Sequence, residues 1–163
     1  VGRGEELDDL FDRYARRLHA SLGSPVVAVT LLEPTRRWLV GAAGLASPYQ
    51  RCRKIPLSHT FSQYVVTDSR PLVVSDARRV PELLGHPVVP DLNVVAYAGW
   101  PISRPVAAVA GDVPGKLCSE ILGVVCAIDH EPREWTSSDL LTLCDVAHAC
   151  ADDLERYVVT ACG

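Results

Sequence analysis

Residues 121–157 read ILGVVCAIDHEPREWTSSDLLTLCDVAHACADDLERY, and this stretch decides the fold because it joins a buried strand to a long helix. Ile121 to Ile128 is an apolar run of strand length, rich in β-branched residues, interrupted by Gly123 and stopped by Asp129. Pro132 and Trp135 carry a turn. Thr136 stands three residues before Asp139 and just ahead of Leu140, Leu141 and Leu143. That is the spacing of a capping box, in which both side chains take up orphan helix N–H groups, so a helix is expected to start there. Strand, polar crossover and terminal helix make one unit whose apolar faces the upstream chain must cover.

With 163 residues, 48% of them hydrophobic and 22% charged, the chain is expected to be one domain with one core, spanning 1–163 with the ordered part at about 5–158. The net charge is −4 and the basic residues are scattered, so no nucleic-acid partner is expected. No apolar stretch approaches the ~20 residues that cross a bilayer. The first residues, VGRGEELDDL, lack signal-peptide character. A cytoplasmic location without membrane contact is the expectation. The absence of methionine, even at position 1, suggests a processed chain or a domain cut from something longer. Cys52, Cys118, Cys126, Cys144, Cys150 and Cys162 form no C-x-x-C and no zinc-finger spacing, and free thiols are expected.

Upstream, Leu7, Leu10, Phe11, Tyr14, Leu18 and Leu22 recur at helical steps, with acids early, arginines late and Gly23 as the stop. Pro25 opens a strand at Val26 to Leu32, and a turn at Glu33-Pro34-Thr35 returns the chain through Arg36 to Ala43 as a hairpin. Within residues 55–66 a short helix is expected, capped by Ser58 or Thr60, with Phe61 and Val65 on its buried face. Leu72 to Val74 is a short strand followed by a cap at Asp76. Three prolines and Gly85 between Arg78 and Asn93 limit that segment to short helical turns, a plausible lid. Val94 to Ile102 is a strand, and Gly99 within it marks a close approach of another backbone or a ligand. Residues 103–120 then read as a long flexible connection, in which 111–116 only faintly echoes a phosphate loop. The resulting order is an α/β (α+β) pattern on an antiparallel sheet, not strict βαβ alternation.

PVVAVTLLEP after the first helix, the block IPLSHTFSQYVVTDSRPLVVSDA, the strand VVAYAGWPI and the terminal ILGVVCAIDHEPREWTSSDLLTL resemble, in that order, the GAF domain family from Glu5 to Tyr157. The resemblance implies a central antiparallel sheet of about five to six strands. It places the terminal helices on one face and a pocket under an irregular helical lid on the other. It also implies a sensory or regulatory module that binds cyclic nucleotides, tetrapyrroles or other small molecules, or merely dimerises. Such modules stand ahead of kinases, phosphatases, cyclases or transcription activators.

Pro56-Leu57-Ser58-His59 is similar to the place where bilin-binding relatives carry a Pro-x-Ser-Asp stretch. Ser58 and His59 are therefore the first pocket candidates, against the alternative of a local cap and a surface histidine. The lid holds Gly85-His86-Pro87 and no cysteine, which disfavours covalent bilin attachment. Phe61, Asp76, His86 and Tyr97 complete the candidate ligand set. Asp76 also reads as a turn or cap residue, and His86 as an exposed loop residue. Tyr97 and Trp100 lie on opposite strand faces, and Tyr97 is assigned to the pocket. Cys144 and His148, at i and i+4, offer two metal ligands without an obvious third, and are assigned to packing and surface. Cofactor and ligand stay unassigned. The surplus apolar flank of the last helix suggests a homodimer through the first and last helices. The function expected is a non-catalytic sensory domain signalling through those helices. The alternatives are a ligand-free dimerisation module and a thiol-dependent methionine sulfoxide reductase, for which Cys118 and Cys126 are the candidates.

Overall fold

A computed structural model of the chain describes residues 3–32, 37–45, 54–106 and 118–161. Helix α1 spans Arg3–Leu22 and buries Phe11, Ala15, Leu18 and Leu22, the stripe that its three- and four-residue spacing dictates. Gly23 ends it at φ 65°, its N–H donating to the His19 carbonyl at 3.0 Å, a left-handed stop that suits glycine.

Strands β1 (Val26–Leu32), β2 (Arg37–Ala43) and β3 (Lys54–Ile55) follow. Helix α2 (Ser62–Asp68) leads into β4 (Leu72–Val74), and the short helices α3 (Pro81–Leu84) and α4 (Val88–Leu92) precede β5 (Ala96–Val106), β6 (Cys118–Asp129) and helix α5 (Ser137–Ala161). The six strands form one sheet in the order β3-β2-β1-β6-β5-β4, with every neighbouring pair antiparallel. The apolar run of β6 lies at its centre. Val27 faces Ala127 across β1 and β6, and Tyr97 faces Ile128 across β5 and β6.

Side chains alternate between the faces of a strand, and here the alternation builds two cores. On one face Val27, Val29, Ala98, Ile102, Val125 and Ala127 pack with the buried stripe of α1 and with Leu143, Ala147, Cys150, Ala151 and Leu154 of α5. Each large side chain buried this way contributes about 1.5–3 kcal/mol. On the other face Ala28, Val124, Cys126 and Tyr97 pack under Phe61, Val65, Ala77, Leu83 and Val88 of the 57–92 segment. Terminal helices on one face and a helical lid on the other is the expected layering.

The start of α5 forms as read. Thr136 N–H donates to Asp139 Oδ2 and Asp139 N–H to Thr136 Oγ1, both at 3.1 Å, a reciprocal capping box. Arg133 sits just ahead of it. Its guanidinium donates to the Leu22 carbonyl at the end of α1, stands 3.5 Å from Asp129 and 3.6 Å from Asp139, and lies 4.6 Å above the Trp135 ring. One side chain thus ties the end of α1, the end of β6 and the start of α5 together.

Three expectations are corrected. The expected cap at Ser58 or Thr60 does not form: α2 begins after Phe61 with no side-chain cap. The Thr60 hydroxyl instead donates to the Leu57 carbonyl at 3.0 Å, closing the 3₁₀ turn Leu57–His59. Strand β5 does not stop at Ile102 but pairs on to Val106 opposite Cys118. Pro105 is tolerated there because β4 pairs only as far as Gly99, leaving the outer side of β5 an edge that needs no N–H. Ile55, expected within the short helical stretch 55–66, instead joins the sheet with Lys54 against Arg37 and Trp38, a pairing too short to leave a periodic signal. The expected turn at 33–35 and the phosphate-loop echo at 111–116 lie outside the described residues, as do residues 46–53.

Candidate functional site

The face opposite the terminal helices is organised by Tyr97. Its ring is 1% exposed and meets the Phe61 ring edge-on, centroids 5.7 Å apart at 89°, a favoured aromatic geometry. Phe61 arrives at the start of α2, and Val65, one turn later, shares its buried side. Ser62 is fully buried because its hydroxyl lies 2.6 Å from the Tyr97 hydroxyl, which satisfies both polar atoms in an apolar setting. The ring of Tyr97 lies over Gly99. A β-carbon there would stand 2.4 Å from the phenol oxygen, so the close approach that a mid-strand glycine signals is made by the chain's own tyrosine.

The lid closes over this pair. Leu83 of α3 and Val88 of α4 are buried, and between them His86 turns inward, 8% exposed. Its ring centroid lies 5.1 Å from that of Phe61 and 6.1 Å from that of Tyr64. The backbone fixes its tautomer. Val88 N–H donates to His86 Nδ1 at 3.2 Å, which leaves the proton of the neutral ring on Nε2, and the Gln63 side-chain nitrogen stands 2.7 Å from that atom. Burial pushes the His86 pKa below the usual histidine value. A hydrogen bond to the Ser58 backbone opposes that shift, and the nearby His59 adds to it.

Between sheet and lid lies a small cavity of about 40 Å³, walled by Ala28, Ile55, Phe61, Val88, Tyr97 and Cys126 among others. No charged side chain lines it among the described residues. Drug-sized ligands need roughly 300–1,000 Å³, and this space is well below that.

Of the expected ligand set, the structure brings Phe61, His86 and Tyr97 together. Ser58 and His59 stand at the rim. The Ser58 side chain is exposed, and its backbone carbonyl accepts from the Gln63 side-chain amide at 3.3 Å. His59 Nε2 lies 3.1 Å from Asp91 Oδ2, a clasp between the 3₁₀ turn and α4. Asp76 does not join them. Its carboxylate accepts from the Arg78 backbone at 3.1 Å and from the Arg78 guanidinium at 2.9 Å, which holds it below the ordinary carboxylate range, and it belongs to an outer cleft beside Pro132 and Arg133. Ser62, Gln63 and Gly99 are site residues that the sequence does not single out as such. The signal for Ser62 is its place one residue after Phe61, where a polar residue enters a core only with a partner.

Cys126 is fully buried in the cavity wall, where its thiol meets no solvent. Cys118 opens β6, and its side chain lies outside the described residues. Among the described residues no group of three or more His, Cys, Asp or Glu side chains gathers as a metal site, and no helix is long and apolar enough to cross a membrane.

Solved structures share this architecture. The chain is similar to residues 122 to 287 of a methyl-accepting chemotaxis protein, at 20% identity and TM-score 0.71, covering 97% of this chain and 96% of that one. It is similar to the blue-light absorbing form of the Thermosynechococcus elongatus PixJ GAF-domain, at 18% identity and TM-score 0.70, covering 96% and 89%. The free methionine-R-sulfoxide reductase of Neisseria meningitidis, solved with its substrate, follows at 15% identity and TM-score 0.68, covering 94% and 81%. No curated protein sequence matches the chain. At these identities the likenesses establish the fold. The sequence itself matches the GAF domain over residues 6–154, nearly the whole of the chain, and the protein belongs to the GAF domain family.

Proposed function

We propose that residues 1–163 form a single non-catalytic sensory or regulatory domain that binds a small, neutral, largely apolar molecule beneath the 78–93 lid. The signal passes through α1 and α5 of a homodimer to an effector such as a kinase, phosphatase or cyclase. The observation that carries this is the uncharged, apolar lining of the cavity around Tyr97 and Phe61. A phosphate or carboxylate buried there would lack a counter-charge, at a cost of several kcal/mol. Nucleotides and haem are correspondingly poor candidates for this site.

Occupation requires the lid to rise, so ligand binding must outweigh the closed packing of Leu83, His86 and Val88. A difference of a few kcal/mol between the two states suffices for a population shift. The route to the helices is short. Tyr97 faces the pocket while Ala98, the next residue, faces the helix side, and Trp135 Nε1 donates to the Val74 carbonyl at 3.0 Å, coupling the strand under the lid to the turn that launches α5.

A thermal-shift panel tests the reading: neutral aromatics such as indole and benzyl alcohol, against nucleotides, haem and amino acids. Indole-like compounds should raise Tm, by mass action about 2.7 kcal/mol at a hundredfold excess over Kd, and Ala28→Val, which fills the cavity, should remove the effect. A rise with nucleotides alone overturns the ligand class. Silence across the panel favours association without a ligand.

The second reading is a thiol-dependent sulfoxide reductase. It is kept because Cys126 lines the cavity and because a free methionine-R-sulfoxide reductase shares the fold. Full burial of Cys126 weighs against it, since a nucleophilic thiol needs access and a polar site. Sulfoxide reduction that disappears in Cys126→Ser or Cys118→Ser would establish it.

A further inference from the structure

Helix α5 offers a second site on one flank of its buried side. Its buried stripe is Leu143, Ala147, Cys150, Ala151 and Leu154. At 100° per residue, Cys144, His148 and Leu141 follow one another round the flank next to Ala151. Leu141 is 62% exposed, His148 is exposed and Cys144 partly so. Cys144 Sγ and His148 Nδ1 stand 3.6 Å apart.

That distance is informative. Zinc bonds of ~2.3 Å to sulfur and ~2.0–2.1 Å to imidazole nitrogen, at a tetrahedral angle, put neighbouring S and N ligands about 3.6 Å apart. The Cys144–His148 contact is a hydrogen bond as it stands, and its length matches one edge of a zinc tetrahedron, with both residues projecting from one helix. A closed structural site takes four ligands, and one described protomer supplies two.

We propose that Cys144 and His148 are half of a Cys₂His₂ zinc site completed by the same pair from a second copy of this chain, joining two α5 helices. A twofold axis through the metal brings identical surfaces together, as an isologous contact requires. Leu141, Cys144 and His148 follow the three-and-four spacing of a helix-pairing seam, so Leu141 adds an apolar contact one turn from the metal. Asp145, Asp152 and Glu155, all exposed, flank the seam. Their charge opposes metal-free approach of two copies and favours a cation between them. As the metal binds, each Cys144 thiol releases its proton to solvent and forms a Zn–S bond, and each neutral His148 donates a lone pair. No electron changes hands, and zinc with two thiolates is neutral.

The site goes beyond the sensory reading and does not depend on it: association without metal bears on helix pairing alone, whereas zinc dependence bears on these two residues. The test uses the reduced, metal-free 163-residue chain with zinc chloride under light scattering, and cobalt(II) in parallel as a spectroscopic probe. Zinc should double the mass at one ion per two chains, cobalt should show tetrahedral d–d and thiolate charge-transfer bands, and Cys144→Ser and His148→Ala should each abolish both. Circular dichroism should confirm that these surface variants keep their helices. If the chain already pairs without metal, cobalt bound at one ion per two chains and lost in both variants supports the site, and cobalt retained by them overturns it. Zinc that leaves the mass and the cobalt spectrum unchanged, or acts equally on both variants, also overturns the proposal.

Discussion

The phenol of Tyr97 occupies the space above Gly99 that a side chain would otherwise take: a β-carbon at 99 would lie 2.4 Å from the hydroxyl oxygen and 2.7 Å from the ring edge. Gly99→Ala should therefore lift the ring from the sheet, break the 2.6 Å contact between the Ser62 and Tyr97 hydroxyls, and disturb the edge-on packing against Phe61. Overpacking of this kind costs about 1–3 kcal/mol. Urea denaturation should show a lower midpoint with an unchanged m-value. Tyr97→Phe, which keeps the ring and removes only the hydroxyl, should cost nearer 1 kcal/mol.

This pair also marks how far the sequence can be read. A glycine inside the apolar strand around residue 99 announces a close approach, and alternation assigns Tyr97 to the lid face. Both follow from local spacing. What fills the space, and that Ser62 meets the phenol, depends on how α2 crosses the sheet, which no local pattern encodes. The helix start at Thr136 is legible because both partners lie within three residues. Asp76 joins the expected ligands and yet lies apart from them in the fold, because a polar residue after a strand looks alike whether it lines a pocket or caps the next turn. Arg133 gives no local signal because its partners, Leu22, Asp129 and Asp139, come from three separate elements.

His86 makes the lid sensitive to acid. Its pKa is depressed in the folded state, mainly by burial, so between that value and about 6.5 the unfolded chain binds more protons than the folded one. Its stabilising contribution is fully present above about pH 6.5 and is lost as pH falls through the folded pKa. Protonation would also turn an N–H at Nδ1 against the Val88 N–H that now donates to it. His86→Asn keeps an acceptor for Val88 without the titration. Chemical denaturation from pH 7.5 to 5 should show a shallower loss of stability in the variant than in the parent.

Tyr14 of α1 donates to Asp153 of α5 at 2.5 Å. Burial first, and then the hydrogen bond and charge of Asp153, raise the Tyr14 pKa well above the ordinary phenol value; burial, with Asp153, likewise pushes the Cys150 thiol up to about 12. Spectrophotometric titration of the folded protein should show a phenol ionising above the ordinary range, and Tyr14→Phe should take that contribution away. Because the folded pKa is raised, the contribution of Tyr14 is complete below about pH 10 and fades above it. At neutral pH Tyr14→Phe should cost about 1–3 kcal/mol, as expected for a hydrogen bond to a charged group.

The Thr136–Asp139 box and Arg133 form one junction, and their losses should not add. Thr136→Ala removes the acceptor for the Asp139 N–H and should cost about 1 kcal/mol. Asp139→Ala should cost more, because the carboxylate caps the Thr136 N–H and also stands 3.6 Å from the Arg133 guanidinium. Arg133→Ala in turn strips the Leu22 carbonyl of its donor and uncovers the Trp135 ring. A double-mutant cycle between Asp139→Ala and Arg133→Ala should give a coupling of about 0.5–3 kcal/mol, as residues sharing one network do. The same arginine holds the end of α1 to the start of α5, so hydrogen exchange in Arg133→Ala should accelerate at the last turn of α1 and the first turn of α5 together. Acceleration confined to α5 would mean that the two helices do not respond as one unit.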